Sequence, residues 1–341
     1  MSGMPLLEVE DLHVTFRTAS GPVHAVDGVS FTMKPGSSLG VVGESGSGKS
    51  VTARALLRLF AITDDVQISG AVHFDGQDLL RIDERRLRDV RGGQIGMIFQ
   101  DPLTSLNPLM AVGEQIAESL RLHRGMSRSE AAAEAVELLA RVGIADPEQR
   151  ATELPSSFSG GMRQRVMISL AIACRPRLLI ADEPTTALDV TVQAEILLLL
   201  DELRRSEGMA LMLITHDFGV VAATCDDVQV MYAGKLVEKA SMAHLFDRAN
   251  HPYTEGLLRL VPRFEDTHTG RLHPIPGQPP ITGGGGSSCA FAPRCSYAVD
   301  RCRSEVPPEV AVGPQHLSAC WLATDRAKDT TEAGQPWRRA Q

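Results

Sequence analysis

Along the first forty or so residues apolar and polar side chains alternate, as in Leu7-Glu8-Val9-Glu10 and Val29-Ser30-Phe31-Thr32-Met33. A period of two is that of a half-buried strand, and turn-forming residues interrupt it at Ser20-Gly21-Pro22 and Lys34-Pro35-Gly36. Residues from about 5 to 42 are therefore expected to form antiparallel strands. The stretch Gln67 to Gly76, ending in Asp75-Gly76, reads as a further hairpin that joins this first sheet. The period then changes. Ser127 and Glu130 make a capping-box pattern ahead of Ala131 to Val142, where Val136, Leu139 and Val142 recur at helical spacing before Gly143. The middle third is expected to be mainly helical. Two short continuous apolar runs follow, Leu178 to Ala181 and Leu211 to Ile214, separated by a helical stretch from Val192 to Arg205 that ends near Gly208. Strand, helix, strand implies a parallel sheet. From about Pro262 the texture changes again: Pro274, Pro276, Pro279 and Pro280 cluster, Gly283 to Gly286 run together, and four cysteines follow, which marks a separate C-terminal unit.

At 341 residues the chain exceeds one average domain, so one large domain with an appendage, or two domains, is expected. With 43% hydrophobic and 22% charged residues it has the balance of a soluble globular protein, and a net charge of −8 argues against nucleic acid as a partner. No uninterrupted apolar stretch approaches the roughly twenty residues that span a bilayer. Met1 to Glu10 lacks the basic start and apolar centre of a secretion signal. A cytosolic chain is expected, with any membrane association coming through a partner.

The most specific segment is Gly43-Glu44-Ser45-Gly46-Ser47-Gly48-Lys49-Ser50. It follows the apolar run Leu39 to Val42 and precedes the helical pattern Val51 to Leu57. Glycines let backbone N–H groups curl around phosphate oxygens, and the helix start adds its dipole to that anion site. Lys49 is then expected to reach the β- and γ-phosphates of a nucleoside triphosphate, and the Ser50 hydroxyl to ligate Mg²⁺. The other reading of these residues is a flexible glycine-serine turn.

A second group of residues concerns what happens to the triphosphate. The apolar run at Leu178 ends in Asp182-Glu183, where one carboxylate can hold Mg²⁺ through its water shell and the next can orient or deprotonate an attacking water. Such a pair also occurs in solvated loops. Phe158-Ser159-Gly160-Gly161-Met162-Arg163-Gln164-Arg165 precedes a helical apolar stretch, Val166 to Ala173, and is either a second phosphate-binding helix start or a simple N-cap at Ser159.

Together with Asp182 shortly after it, the Ser159 segment resembles the signature of ATP-binding cassette (ABC) ATPases. The resemblance covers nearly the whole chain. Phe16 is similar to the aromatic that stacks on adenine, although it also fits a buried strand position. Gly43 to Ser50 resembles the Walker A loop, and Gln100 after Ile98-Phe99 the Q-loop glutamine. Ser159-Gly160-Gly161 looks like the signature, and Asp182-Glu183 like the Walker B pair. Ala187-Leu188-Asp189 resembles the D-loop, and His216 after Ile214-Thr215 the switch histidine. Phe158 departs from the usual leucine, and Met162 from the usual glutamine. The resemblance implies an α/β fold: a RecA-like P-loop ATPase core with an antiparallel β subdomain and a helical signature subdomain. The cassette is expected over residues 5–260, with its helical subdomain at about 101–165. Catalysis by Glu183, His216 and Gln100 is implied, with Ser50 and Gln100 on Mg²⁺. The signature is expected to contact the ATP of a partner cassette, an identical copy or a paralogue, so that ATP closes the pair and hydrolysis opens it.

Gln100-Asp101-Pro102-Leu103-Thr104-Ser105-Leu106-Asn107-Pro108, Asn250-His251-Pro252-Tyr253-Thr254 and Ile275-Pro276-Gly277-Gln278-Pro279-Pro280 are similar to the oligopeptide, dipeptide and nickel importer branch. That branch implies two integral membrane permease subunits, an extracytoplasmic substrate-binding protein, and a peripheral position on the cytoplasmic face of the bacterial cell membrane. Peptide is the expected cargo, nickel or another small solute the alternative. A soluble ABC ATPase acting on ribosomes or DNA would normally carry tandem cassettes or a finger insertion, neither of which is visible. Cys289, Cys295, Cys302 and Cys320 are spaced C-x5-C-x6-C-x17-C, looser than the paired knuckles of most zinc sites. Four thiols in a cytosolic chain suggest a metal rather than disulfides. Their surroundings resemble the C-terminal extension of peptide permease ATPases, expected here over 261–325 as a small loop-rich metal-binding region. There the family implies a 4Fe-4S cluster; zinc and free thiols are the alternatives. Ser296 and the glycine run depart from the usual proline-rich surroundings. Cys174 and Cys225 are expected to be packing residues, and 326–341 a flexible tail.

Overall fold

The alternating N-terminal pattern folds into two long strands, β1 (Leu7–Thr18) and β2 (Gly21–Met33). Asp11 meets Ser30, Thr15 meets His24 and Thr18 meets Gly21, so partner numbers fall as the others rise and the pair is an antiparallel hairpin. Every second residue points inward: Leu12, Val14, Val29, Phe31 and Met33 are buried. The computed structural model describes residues 4–61, 64–186, 188–261, 275–280 and 286–324. Pro274, Gly283 to Gly285, Ala187 and residues 326–341 lie outside the described residues.

β3 (Ser38–Val42) is buried throughout, and β4 (Val66–Phe74) lies beside β1. The hairpin expected from Gln67 to Gly76, closed by Asp75-Gly76 and joining the first sheet, forms, with nearly all of that stretch in its first strand. Gly70 does not turn the chain; it has φ +102° and sits where a Cβ would lie 2.4 Å from the Asp11 carbonyl oxygen, so the strand passes close to β1 and continues. The turn comes at its end, where Asp75 and Gly76 both take positive φ and His73 and Phe74 pair with β5 (Gln77–Asp78).

Over the described residues the chain forms two compact units. One gathers residues 1–8, 32–38 and 73–214, the other 9–31, 39–72 and 215–341. In the first unit β6 (Ile95–Ile98), β7 (Leu178–Asp182) and β8 (Ala210–Thr215) run parallel, Ile95 to Ile98 opposite Leu178 to Ala181 and Leu178 to Asp182 opposite Ala210 to Ile214. β7 and β8 are wholly buried, as continuous apolar runs require. Helices supply the rest of that unit: Val112–Arg124, Arg128–Arg141, Gly160–Ile172 and Val190–Glu207. The capping box forms as read, Ser127 Oγ accepting from the Glu130 N–H and Glu130 Oε2 from the Ser127 N–H. Val190–Glu207 is longer than the expected Val192 to Arg205 because Asp189 caps its start and Gly208, left-handed, ends it.

In the second unit β3 pairs parallel with β9 (Asp227–Tyr232), which turns through Ala233-Gly234 into antiparallel β10 (Lys235–Ser241). β11 (Val310–Gly313) pairs antiparallel with β12 (His316–Ser318), and β12 adds to the free edge of β10, Glu238 opposite Ser318. Buried Glu238 receives His316 Nε2–H at 2.7 Å and the N–H groups of Asn250 and His251 at 2.6 and 3.0 Å. No helix among the described residues is long and apolar enough to cross a membrane.

Candidate functional site

In the second unit the glycine-rich loop joins β3 to the helix Lys49–Leu56. Its backbone is fixed by space as well as by conformation: a Cβ on Gly43 would lie 2.2 Å from the Met231 carbonyl oxygen, and Gly48, with φ +101°, caps the helix where a Cβ would lie 2.4 Å from the Ala25 carbonyl oxygen. Gly46 is also left-handed. Lys49 is buried, and its ammonium donates to the carbonyl oxygens of Gly43 at 2.7 Å and Glu44 at 3.0 Å. Ser47 is buried and its carbonyl accepts from the Gly234 N–H at 3.0 Å. The loop is thus a preformed curl over a helix start, the arrangement that holds phosphate. Ser45 and Ser50 lie in the same curl. Phe16, on β1, is half-buried rather than part of the core and meets Phe60 edge-on at 5.8 Å. His216 is exposed between the end of β8 and Asp217, which caps the helix Phe218–Thr224.

In the first unit Asp182 closes β7 and is buried, while Glu183 leaves the strand with φ +48°. A left-handed glutamate is strained and persists only when its surroundings hold it. Here its N–H donates to the Ile214 carbonyl at 2.8 Å, and one carboxylate oxygen accepts both Gln100 Nε2–H at 3.0 Å and the Thr186 hydroxyl at 2.9 Å. Gln100 and Glu183, 83 residues apart, therefore meet, and the glutamate is oriented by two donors. An oriented carboxylate at a strand tip can place or deprotonate a water.

Ser159 caps the helix Gly160–Ile172, its hydroxyl accepting from the Met162 N–H at 3.3 Å. Gly160 and Gly161 form the first turn, and a Cβ on Gly161 would crowd Val192 at 2.9 Å. Asp189 accepts from the Val192 N–H at 3.0 Å as the cap of the next helix. The helix starts at Ser159 and Asp189 thus pack together in one unit, with Arg165 and Glu195 paired at 2.7 Å.

The four late cysteines, in the second unit, line one pocket together with His251, Phe291 and Trp321. All four are free thiols, and the Cys289 N–H donates to the Cys302 carbonyl at 2.9 Å. Burial pushes Cys289 and Cys295 upward and Cys320 to about 11, so these three are held as thiols rather than thiolates. Among the described residues no three His, Cys, Asp or Glu side chains group closely enough to hold one metal ion. Cys225 is buried and Cys174 packs against Ser119, as expected of packing residues.

Sequence reasoning missed Thr186, although a hydroxyl three residues beyond an acid in a turn is a readable signal. It also missed Tyr253 and Arg294, which hold Glu44; no local pattern around either residue signals its contact.

Known proteins give a consistent comparison. A family model described as "ABC transporter" matches residues 26–186, and one described as "Oligopeptide/dipeptide transporter, C-terminal region" matches 237–302. The chain is 51% identical over 316 residues to the oligopeptide transport ATP-binding protein OppD of Salmonella typhimurium, covering 93% of each. It is 50% identical over 320 residues to the probable peptide ABC transporter ATP-binding protein y4tR of Sinorhizobium fredii, covering 94% of this chain and 96% of that one. Among solved structures it is similar to the dimeric cassette MJ0796 bound to ADP and Pi, with TM-score 0.62 and 28% identity over 69% of this chain and 98% of that one.

Proposed function

The chain belongs to the ABC transporter family, among its oligopeptide and dipeptide transport ATP-binding subunits, and on that premise we propose that it powers import of di- or oligopeptides through ATP hydrolysis. It is an ATP-binding subunit of ATPase type, and ATP with Mg²⁺ is what its phosphate loop serves. Gly43, Glu44, Ser45, Gly46, Ser47, Gly48 and Lys49 cradle the phosphates, and Ser50 with Gln100 and Asp182 serves Mg²⁺. Glu183 acts as base toward water, His216 steadies the transferred phosphate, Phe16 stacks on adenine and Asp189 belongs to the nucleotide set. Ser159, Gly160 and Gly161 reach the ATP of a second cassette. The preformed loop and the Gln100–Glu183 contact support these roles.

The cassette occupies 5–260, its extension 261–325. The partners are a second ATPase subunit, two membrane permeases and an extracytoplasmic binding protein, with this subunit peripheral on the cytoplasmic face. Cys289, Cys295, Cys302 and Cys320 would hold a 4Fe-4S cluster, which when bound would staple the loops of the extension. Brown colour and charge-transfer absorption after anaerobic purification support iron; a colourless, zinc-loaded protein rejects it.

The observation that carries the function is 51% identity spanning 93% of the chain, cassette and C-terminal region together. Peptide found on the binding protein that copurifies with the permeases supports the cargo; a metal ion there instead overturns it. For the ATPase roles, Glu183→Gln is expected to abolish hydrolysis and accumulate an ATP-bound dimer on gel filtration. An unchanged hydrolysis rate removes Glu183 from the base role.

A further inference from the structure

Glu44 is the only acid in the segment Gly43 to Ser50, and an acid in a loop that receives a triphosphate opposes its ligand. The structure meets this with a dedicated partner. Glu44 Oε2 accepts from Arg294 Nη1 at 2.6 Å and Oε1 from Nη2 at 2.9 Å, a two-pronged pair. Arg294 comes from the far end of the chain, in the short turn Ala292–Arg294 immediately before Cys295. Its side chain is 5% exposed. Its Nε–H donates to the Pro276 carbonyl at 2.9 Å and Nη1 reaches the Tyr232 hydroxyl at 3.4 Å. The guanidinium also lies over the rings of Tyr232 and Phe291. The Glu44 backbone is held as well: its N–H donates to the Tyr253 hydroxyl at 2.8 Å, and its carbonyl accepts Lys49 Nζ–H. Tyr232, Tyr253 and Phe291 form one aromatic cluster, with ring centroids 4.6 to 5.4 Å apart, and Phe291 lines the cysteine pocket.

We propose that Arg294 is a positioning residue for nucleotide binding: by neutralising and fixing Glu44 it lets the phosphate loop accept a triphosphate, so the C-terminal extension sets the affinity for ATP. The inference rests on reading Gly43 to Ser50 as the nucleotide site. Without Arg294 the loop carries an uncompensated anion beside its ligand. With Glu44 also neutral the penalty disappears, which a role in packing alone does not predict.

The test is equilibrium binding of MgATP to the full chain, with thermal unfolding measured alongside. Arg294→Met is expected to raise Kd roughly tenfold, and Glu44→Gln added to Arg294→Met to recover most of that loss. Arg294→Lys, which keeps the charge but loses the fork, is expected to fall between wild type and Arg294→Met. If Arg294→Met does not fold, Arg294→Lys and the neutral double variant carry the comparison. An unchanged Kd in the Arg294 variants overturns the proposal, and so does a loss of affinity that Glu44→Gln fails to relieve. A wild-type chain that binds no MgATP overturns the nucleotide site itself, and the proposal with it.

Discussion

Glu183 shows how much of a reactive group's behaviour is set by the residues that constrain it. Its backbone stands in the left-handed region, and one carboxylate oxygen takes two donors, from Gln100 and Thr186. The acid itself was plain from its place after an apolar run, and Gln100 from the family resemblance. With Glu183 proposed as the base, Thr186 acts through it as a positioning residue. Thr186→Val keeps the volume and removes one donor, so the turnover rate is expected to fall about three- to tenfold with KM unchanged. Steady-state ATPase kinetics check this; a raised KM at unchanged turnover assigns Thr186 to substrate binding instead. Glu44 shows the limit of legibility at this scale. Its partner is 250 residues away, and no local pattern in a single sequence announces a contact at that separation.

At the scale of elements, periodicity and caps predicted well where the cause is local. The capping box at Ser127, the alternation of β1 and β2 and the buried runs of β7 and β8 all follow from patterns within a few residues. Gly70 has a cause that is not local: a glycine inside a strand marks close approach of another backbone as readily as a turn, and only the position of β1 decides. A tertiary tie also fastens β2 beneath the phosphate loop. The Asp27 N–H donates to the Gly234 carbonyl, and its carboxylate pairs with Lys235 at 2.7 Å and with His13 at 3.2 Å. Burial alone would raise the Asp27 carboxyl, but Lys235 and His13 together hold it below its ordinary 3.8. A depressed value in the folded state means stability that is present above the ordinary value and lost as pH falls through the folded one. Asp27→Asn is therefore expected to cost up to about 1 kcal/mol at neutral pH, with the difference from wild type closing in acid. Urea unfolding at several pH values measures it; a constant difference across the acid range rules the ion pair out as the cause.

For the molecule as a whole, the C-terminal residues are part of a sheet as well as of a cysteine-lined pocket. The change to proline, glycine and cysteine suggested a loop-rich appendage, and the three-residue strand β12 is too short to leave a periodic trace, so its addition to β10 was not legible. What locks it is buried: Glu238 gathers His316 and two backbone N–H groups. His316→Leu removes one donor to a buried carboxylate and is expected to cost about 2 kcal/mol in urea unfolding and to expose the chain after residue 286 to limited proteolysis. Cleavage distributed evenly over both units argues against a local tie.

The pairing of β12 with β10 also bears on how the protein is made. The second unit draws on segments from residue 9 onward, yet the edge of β10 has no partner until residues 316–318 have left the ribosome. Between the emergence of residues 235–241 and that of 316–318 an unpaired edge strand is exposed, the kind of surface that pairs with other chains. Messages truncated late in the coding sequence should therefore yield aggregation as well as loss of transport.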